Sequence, residues 1–437
     1  MKKILLLLIL LSFSLSFSAP IDGCTNITSA DSYVLTQNIL GANYSSMPLD
    51  ASGSACVRIS VPDVVFDCSN FNITDNTSLV GNTFGVLVGS SDGSVLTNVT
   101  VKNCQVDSYD FGITYSSTNL SSLINNTIVN TSTFGGFYLT NSSQNTLENN
   151  TAHNSAGNDF HLTVDSSLNN LTNNLAYEAG LSGFYILSNS NVLLNNTARN
   201  NTLDGFTFDS TSGNNLTNND AHNNSFSGIL FTNSSNGVLT NNTAGFNLGT
   251  SGLSSGGFSF TTGSNNNTLT NNNAHNNSGP GFFFSGSSNN TLTNSSAYNN
   301  SEYGFYVSLS SNNNTLTGST AFYNLDQGFS ISSSNQTTLT NDVAYNNGDI
   351  SPSSLVGFGF SFSSYNSLSG NTAYNQSYMG FSLDSSDLNN LTNTTAYSNS
   401  VAGIFVSGLN NSIVNSTIYN NGDGLEFSSC NNTILTN

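Results

Sequence analysis

Residues 266–284 read NNTLTNNNAHNNSGPGFFF, and variants of this unit recur along most of the chain. The unit holds three short apolar signatures, T-L-T, A-x-N-N and G-F followed by alternating apolar residues. Alternation of this kind is a strand pattern, and none of the three is long enough for a helix. The Asn, Ser and Gly residues between them tolerate left-handed backbone conformations and make tight corners. The unit therefore predicts three short strands joined by corners.

The pair formed by a glycine and a following apolar residue sets the register of the repeats. Most intervals between these pairs are about 22–24 residues, and a fixed period of that size indicates a solenoid. Between Gly136 and Gly183 the pair is replaced by Asp159-Phe160. Three strands per period and no room for helices predict an all-β fold, a parallel β-helix of about 15 coils that is about 70 Å long at about 4.8 Å per coil.

The apolar positions of successive repeats align into three columns, which we expect to face inward. The first column is Phe137, Phe184, Phe206, Phe258, Phe282, Phe305 and Phe329; the second is Leu147, Leu171, Leu216, Leu239, Leu269, Leu292 and Leu316; the third is Ala152, Ala176, Ala198, Ala221, Ala244, Ala274, Ala297 and Ala321.

The Asn-Asn pairs have a structural explanation in such a repeat. One asparagine can adopt the strained corner conformation, while its neighbour stacks on equivalent residues above and below as a hydrogen-bonded ladder. The high Asn content therefore predicts ordered corners, although composition alone would suggest disorder.

The two ends of the chain differ from the repeats. Residues 1–18 have the two lysines, apolar run and small residues of a secretory signal peptide, and a lipoprotein signal through Cys24 fits less well. Residues 19–80 are predicted to form an amino-terminal cap with the first coils, and residues 81–437 the repeats. The sequence stops within a T-L-T strand without a capping element, so either it is a fragment of a longer chain or the last coil docks on a partner.

Charge excludes some functions. The chain has 5 Lys and Arg against 24 Asp and Glu, a formal net charge of −19. Nucleic acid is therefore not an expected partner, because nothing on the chain would pair with many phosphates. Anionic polysaccharides would be repelled unless a bound cation intervened.

Five cysteines fit an exported protein. Cys68 and Cys104 occupy what look like equivalent positions on neighbouring coils, and Cys24 and Cys56 lie in the predicted cap. Of the three pairings possible among these four residues, we favour Cys24–Cys56 and Cys68–Cys104. Cys430 stands alone.

The repeated NNTLTNN-x-A-x-NN-…-GF unit, with SYVLTQNI (32–39) and VRISVPDVVFDCSNFNIT (57–74), resembles the right-handed parallel β-helix repeat proteins, in their NosD-like (periplasmic copper-binding) and carbohydrate-binding or sugar-hydrolase branch. The resemblance covers most of residues 32–437 and implies a right-handed solenoid. It does not imply one activity, because enzymes, adhesins and surface proteins share this repeat.

Catalytic and metal-binding residues are not nominated by the pattern. Polysaccharide lyases of similar fold use Asp clusters and a basic residue, and Arg199 is the only basic residue inside the regular repeats. Glycosidases need carboxylates at a set separation, and the nearest acid pairs are Asp107/Asp110 and Asp384/Asp387.

Copper would need clustered His, Met or Cys. His153, His222 and His275 share one outward repeat position but are two or three coils apart, at least about 10 Å at the coil spacing. His161 lies on another wall. We expect no metal site and no cofactor.

An outward aromatic column is the best functional candidate. It could stack on sugar rings or pack against a partner, and the alternative is a self-stacked ladder that only stabilises its sheet. Its members, on six consecutive repeats, are Tyr298, Phe322, Tyr345, Tyr374, Tyr397 and Tyr419.

The sequence favours a secreted or cell-surface protein with a non-catalytic structural or binding role, whose partners are glycans or another surface protein. The first alternative is a polysaccharide-processing enzyme, a glycoside hydrolase or lyase, and the next is a metal-delivery protein of the NosD type. No membrane-spanning segment is expected apart from the signal peptide.

Overall fold

The computed structural model describes residues 18–40, 54–76, 82–249, 255–348 and 355–436. The signal peptide predicted over residues 1–18 lies outside this part of the chain except for its last residue. All regular structure in the described ranges is β-strand, and every pairing between strands is parallel. These ranges contain no helix long and apolar enough to cross a membrane.

Three long parallel sheets run along the molecule, and we name them after their inward residues: the Phe sheet, the Leu sheet and the Ala sheet. The chain visits them in this order in every repeat, and each strand pairs with its equivalents one coil before and one coil after. The prediction of a right-handed parallel β-helix with three strands per coil and about 15 coils is confirmed.

The strands of the Phe sheet are Thr25–Ile27, Ser54–Ile59, Thr83–Val88, Phe111–Ser116, Gly135–Thr140, Asn158–Leu162, Phe184–Ile186, Phe206–Asp209, Ile229–Thr232, Phe258–Thr261, Phe282–Ser285, Phe305–Ser308, Phe329–Ser332, Val356–Ser361, Met379–Asp384, Ala402–Ser407 and Asp423–Phe427.

The strands of the Leu sheet are Ala19–Ile21, Ser32–Leu35, Val64–Asp67, Val99–Lys102, Ser122–Ile124, Thr146–Glu148, Asn170–Thr172, Val192–Leu194, Asn215–Thr217, Val238–Thr240, Thr268–Thr270, Thr291–Thr293, Thr315–Thr317, Thr338–Thr340, Ser367–Ser369, Asn390–Thr392, Ser412–Val414 and Ile434–Thr436.

The strands of the Ala sheet are Ile39–Leu40, Asn72–Thr74, Gln105–Asp107, Thr127–Val129, Thr151–His153, Leu175–Tyr177, Thr197–Arg199, Asp220–His222, Thr243–Gly245, Asn273–His275, Ser296–Tyr298, Thr320–Phe322, Val343–Tyr345, Thr372–Tyr374, Thr395–Tyr397 and Thr417–Tyr419. A separate pair joins Leu96–Thr97 to Thr118–Asn119.

The core consists of the three predicted columns. Every residue of the predicted Phe, Leu and Ala columns is at most 1% exposed. Within the Phe column, rings on adjacent coils stack with centroids 4.6–4.9 Å apart, for example Phe184 on Phe206 and Phe305 on Phe329. Each coil thus buries one Phe-sized and one Leu-sized side chain in a sequence that is otherwise rich in polar residues. Full burial of a Leu or Phe side chain stabilises the folded state by about 1.5–3 kcal/mol.

The two predicted roles within the Asn-Asn pairs, a corner residue followed by a ladder residue, are confirmed. Asn195 is an exposed corner residue with a φ of 55°, whereas its neighbour Asn196 is fully buried. The backbone N–H and the Nδ2 of Asn196 donate to Oδ1 of Asn219 on the next coil, at 2.9 and 3.0 Å, and Nδ2 also donates to the carbonyl of Leu171 at 2.8 Å. Each ladder asparagine therefore satisfies buried backbone groups that would otherwise lack partners.

We number the corners in chain order within one coil. The first joins the Phe sheet to the Leu sheet, the second joins the Leu sheet to the Ala sheet, and the third joins the Ala sheet to the next coil. The glycine of the register pair lies at the third corner because space there is short. A Cβ on Gly183 would lie 2.8 Å from Nδ2 of Asn201 and 2.9 Å from a backbone oxygen. Glycine therefore leaves room for the third-corner ladder.

Both predicted disulfides are present. Cys24 is bonded to Cys56 and Cys68 to Cys104, with Cα–Cα distances of 4.5 and 4.7 Å. Cys430 is a free thiol. The described strands of residues 19–76 join the same three sheets as the repeats, and the boundary of a separate cap remains a prediction.

Candidate functional site

The predicted aromatic column lies on the outer face of the Ala sheet. Its six rings are paired in register on consecutive coils. Neighbouring centroids are 4.8–5.1 Å apart and the planes differ by at most 13°. Each inner ring therefore has both faces covered by its neighbours, so only ring edges and hydroxyl groups are free to contact a ligand. Tyr419 closes the column and is 46% exposed.

Two further stacks extend this outward row. His275 stacks on Tyr298 at 5.2 Å, so the histidine prolongs the aromatic column. Nearer the amino terminus, His153 stacks on Tyr177 at 4.5 Å, and the guanidinium of Arg199 lies 4.6 Å from the Tyr177 ring centroid. Arg199 thus makes a cation–π contact in the sheet.

Tyr323 stands out of the aromatic column. It follows Phe322 at the third corner, has a φ of 54° and is 54% exposed. Its plane is turned by 70° from Phe322 and by 75° from Tyr345. Tyr323 therefore presents a ring face to solvent, which the inner rings of the column do not.

A cleft of about 700 Å³ lies at the third corner beside this ring, and we call it the corner cleft. Its polar lining follows the column closely, because Asn346, Asn375 and Ser398 are the residues directly after Tyr345, Tyr374 and Tyr397. The remaining lining residues are Asn324, Leu325, Asn347, Gly348, Gln376, Ser377 and Ser400. Amides, hydroxyls and one free ring face are thus gathered along about four coils.

A second hollow, which we call the sheet groove, lies on the outer face of the Phe sheet and has a volume of about 360 Å³. Its floor is the outward column Ser330, Gly359 and Ser382, and Phe405 follows in the same column. The other lining residues are Gln327, Val356, Phe360, Ser361, Tyr378, Met379, Asp384 and Glu426. The depression forms because the outward residues on these three consecutive coils are small.

One member of each acidic pair noted in the sequence accepts a hydrogen bond from the backbone. Asp110 accepts from the hydroxyl of Thr133 at 3.0 Å and from the N–H of Thr83 at 3.0 Å. Asp387 accepts from the N–H of Leu409 at 2.7 Å. These carboxylates bind corner and strand donors, as short acidic residues commonly do at turns.

A carboxyl pair that the sequence analysis did not single out lies beside the Phe sheet. Glu302 and Asp326 occupy equivalent positions on neighbouring coils, since the N–H of Asp326 donates to the carbonyl of Glu302 at 3.3 Å. Burial and the neighbouring Asp326 raise the pKa of Glu302, and burial raises that of Asp326. Tyr303 stacks on Tyr306 at 4.4 Å next to them. The pair could have been found from the sequence, because each residue lies two positions before the register glycine of its repeat.

Three further acids are buried. Burial raises the pKa of Asp159 to about 8, of Asp342 to about 8 and of Asp204 to about 6. Asp204 accepts from the N–H of Ser227 at 2.8 Å and from the hydroxyl of Thr207 at 3.1 Å.

The surroundings of Asp159 explain why this aspartate can replace the glycine of the register pair. Its oxygens make no hydrogen bond of ordinary geometry, although the nearby Ser155 hydroxyl and N–H partly oppose the rise of its pKa. At the matching place on the third-corner ladder the chain has Ala179, where later coils have Asn201 and its equivalents. The carboxyl of Asp159 therefore occupies space that a ladder asparagine fills elsewhere.

The donors present do not fit a copper site. His153 and His222 are three coils apart along the Ala sheet, and His222 and His275 are two coils apart. His161 lies on the Phe sheet, where burial lowers its pKa to about 4. In the ranges that the structure describes, no three His, Cys, Asp or Glu side chains form a group that could hold a metal ion. Copper sites require such clustering.

Comparison with known proteins gives two family matches. Residues 98–244 match the right handed beta helix region, and residues 179–319 and 307–437 match the periplasmic copper-binding protein (NosD) family. No curated protein sequence matches.

Several solved structures are similar at low identity. The mannuronan C-5 epimerase AlgE4 A-module of Azotobacter vinelandii is 13% identical, with 91% of each chain covered and a TM-score of 0.35. The periplasmic alginate epimerase AlgG is 15% identical over 78% of this chain and 76% of its own, with a TM-score of 0.37. DFA-IIIase from Arthrobacter chlorophenolicus A6 is 12% identical over 78% and 72%, with a TM-score of 0.35. These values are too low to transfer an activity.

Proposed function

The chain belongs to the NosD family of right-handed β-helix proteins, and from this premise we propose that it is an exported, non-catalytic solenoid that binds neutral glycans along the third corner. The observation that carries the proposal is the corner cleft, in which the free face of Tyr323 stands beside a row of amides and hydroxyls. Sugars combine hydroxyl groups with apolar ring faces, and this lining offers a partner for each.

Charge favours a neutral ligand. The only basic residues after the predicted signal peptide are Arg58, Lys102 and Arg199, all in the first half of a chain of net charge −19. None of them lines the corner cleft. An anionic polysaccharide would therefore find no positive charge in the cleft and would be repelled by the net charge of the chain.

Location outside the cytoplasm is supported by the two disulfides and the predicted signal peptide. Disulfides persist in oxidising compartments and are rare in cytosolic proteins. The edges of the aromatic column, from Tyr298 to Tyr419, lie on the neighbouring Ala sheet and extend the proposed binding face, whether toward glycans or toward another surface protein.

The test is binding to an array of neutral glycans, followed by calorimetry of Tyr323→Ser. Loss of the stacking ring is expected to weaken binding by up to about tenfold, because a stacking contact on one aromatic ring contributes about 0.5–1.5 kcal/mol and about 1.4 kcal/mol corresponds to tenfold in affinity. Tyr365→Ser is the matched control, since Tyr365 is also a corner residue with positive φ (61°) and is 61% exposed. Equal binding by both variants, or no binding by the parent, would refute the proposal.

A polysaccharide-processing enzyme is the second candidate, and Glu302 with Asp326 is the observation that favours it. Carboxyls with raised pKa values beside one another are a common feature of acid–base catalysis. Turnover of a neutral polysaccharide, measured by release of new reducing ends, that is lost in both Glu302→Gln and Asp326→Asn but kept in Asp165→Asn would replace the binding function with this one.

A further inference from the structure

The sheet groove lies on a different face from the corner cleft, and its shape is set by side-chain size. Along one outward column of the Phe sheet, Tyr306 is followed by Ser330, Gly359 and Ser382, and then by Phe405. The two aromatic residues stand at the ends of a floor of small residues. Its volume of about 360 Å³ falls within the range of about 300–1,000 Å³ that is usual for small-molecule sites.

The charge of this groove is negative and uncompensated. Asp384 and Glu426 both line it, and neither forms an ion pair with another residue of the described chain. All basic residues lie before residue 200 in sequence. The groove thus attracts cations, yet the described residues around it do not assemble the three acidic or imidazole ligands of a metal site.

The groove also contains an acceptor that needs a donor. Oε1 of Gln327 is occluded from solvent and has no hydrogen-bond partner among the described residues. It lies over Gly359, where even a Cβ would be only 2.1 Å from it. A buried acceptor without a partner is costly, so a turn of the Gln327 side chain that brings Oε1 to a ligand N–H or O–H in the groove would be favoured.

Aromatic rings complete the lining. Phe405 and Tyr378 border the groove together with the buried Met379. Rings of this kind accept the apolar face of a sugar and also attract a cation. Carboxylates, an unpartnered acceptor and aromatic rings together suit a ligand that carries a ring face, several donors and a positive charge.

We propose that the sheet groove binds an amino sugar through its protonated amine. Asp384 holds the ammonium group, Glu426 adds negative charge two coils further along the groove, Oε1 of Gln327 accepts a hydrogen bond from the sugar, and Phe405 packs against the sugar ring. This site is independent of the corner cleft, so either proposal stands if the other fails.

The test is calorimetric titration with a glucosamine tetrasaccharide and with its N-acetylated counterpart, at a mildly acidic pH at which amines are protonated and exposed carboxylates are ionised. The parent protein is expected to bind the cationic oligomer, more weakly as salt is added, and to bind the acetylated oligomer at least about tenfold less tightly.

Asp384→Asn/Glu426→Gln should reduce binding of the cationic oligomer by at least about tenfold. Asp209→Asn is the matched control, because Asp209 has the same repeat position and likewise accepts a hydrogen bond from the serine that follows it. The proposal is overturned if the parent does not bind, if the acetylated oligomer binds as tightly, or if the double variant and the control behave alike. Equal binding of trilysine would also overturn it, since the site would then select charge without a sugar.

Discussion

At the scale of single residues, Asp342 shows how strictly the ladders specify their side chains. It stands in the second-corner ladder, where its Oδ1 accepts from the N–H of Ser319 at 2.7 Å and its own N–H donates to Asn371 at 2.8 Å. Its Oδ2 has no partner. At this place an asparagine Nδ2 donates to a leucine carbonyl, as Asn371 does to Leu339. Only a protonated carboxyl can imitate that donor, which agrees with a pKa raised to about 8 by burial.

Asp342→Asn is therefore expected to remove part of the pH dependence of stability. With a pKa of 3.8 when unfolded and about 8 when folded, the folded state holds a proton that the unfolded chain releases. The contribution of this proton to the free energy of unfolding is complete below about pH 4 and is lost as the pH rises to about 8. Between these values the free energy of unfolding falls by up to about 1.4 kcal/mol per pH unit. The variant should melt higher than the parent at pH 8 and show a flatter profile.

Thermal unfolding of parent and variant from pH 4 to pH 8 measures this effect. Asp165→Asn is the control, because Asp165 is exposed. A variant whose melting temperature falls with pH as steeply as that of the parent would show that Asp342 is not the titrating group. Asp159 and Asp204 remain in both proteins and contribute a residual slope of the same sign.

At the scale of structural elements, the aromatic column acts as a continuous stack. Tyr374 has ring neighbours on both sides, Tyr345 at 5.1 Å and Tyr397 at 4.9 Å. Each stacked pair contributes about 0.5–1.5 kcal/mol beyond area burial. Tyr374→Ser is therefore expected to lower the free energy of unfolding by about 1–3 kcal/mol, whatever the column binds.

Denaturant unfolding of Tyr374→Ser and Tyr365→Ser checks this prediction. Tyr365 is in no ring stack found among the described residues and is mostly exposed, so its replacement should change stability by no more than about 0.5 kcal/mol. If the two variants lose the same amount, the column stack contributes nothing special to the Ala sheet.

The buried columns and the two clefts differ in how far they can be predicted from sequence. Residues equivalent to Phe305, Leu292 and Ala297 recur at a nearly constant interval in sequence. This periodicity predicts the fold, because every coil buries side chains at the same three positions. Tyr323 and Gln327 occur once each at their positions, so their roles depend on rotation out of the stack and on a neighbouring glycine. The fold is thus readable from periodicity, whereas both clefts arise where individual coils depart from it.

At the scale of the whole molecule, each described strand of the three sheets pairs only with its equivalents one coil before and one coil after it. The stability of such a rod is a sum of coil terms and nearest-neighbour interfaces. The two disulfides close separations of 32 and 36 residues, all within the first 104 residues. Each is expected to contribute about 3–4 kcal/mol by restricting the unfolded chain. The disulfides therefore reinforce one end of the rod.

Reduction should consequently loosen that end and leave the rest folded. In hydrogen exchange after reduction, we expect protection to fall in Thr25–Ile27 and Ser54–Ile59 and to persist in Phe206–Asp209 and Phe305–Ser308, because fraying must proceed coil by coil from the weakened end. Cys430→Ser serves as the parent for the measurement, so that no free thiol contributes. Equal loss of protection along the whole rod would contradict nearest-neighbour stability and show that the coils unfold as one cooperative unit.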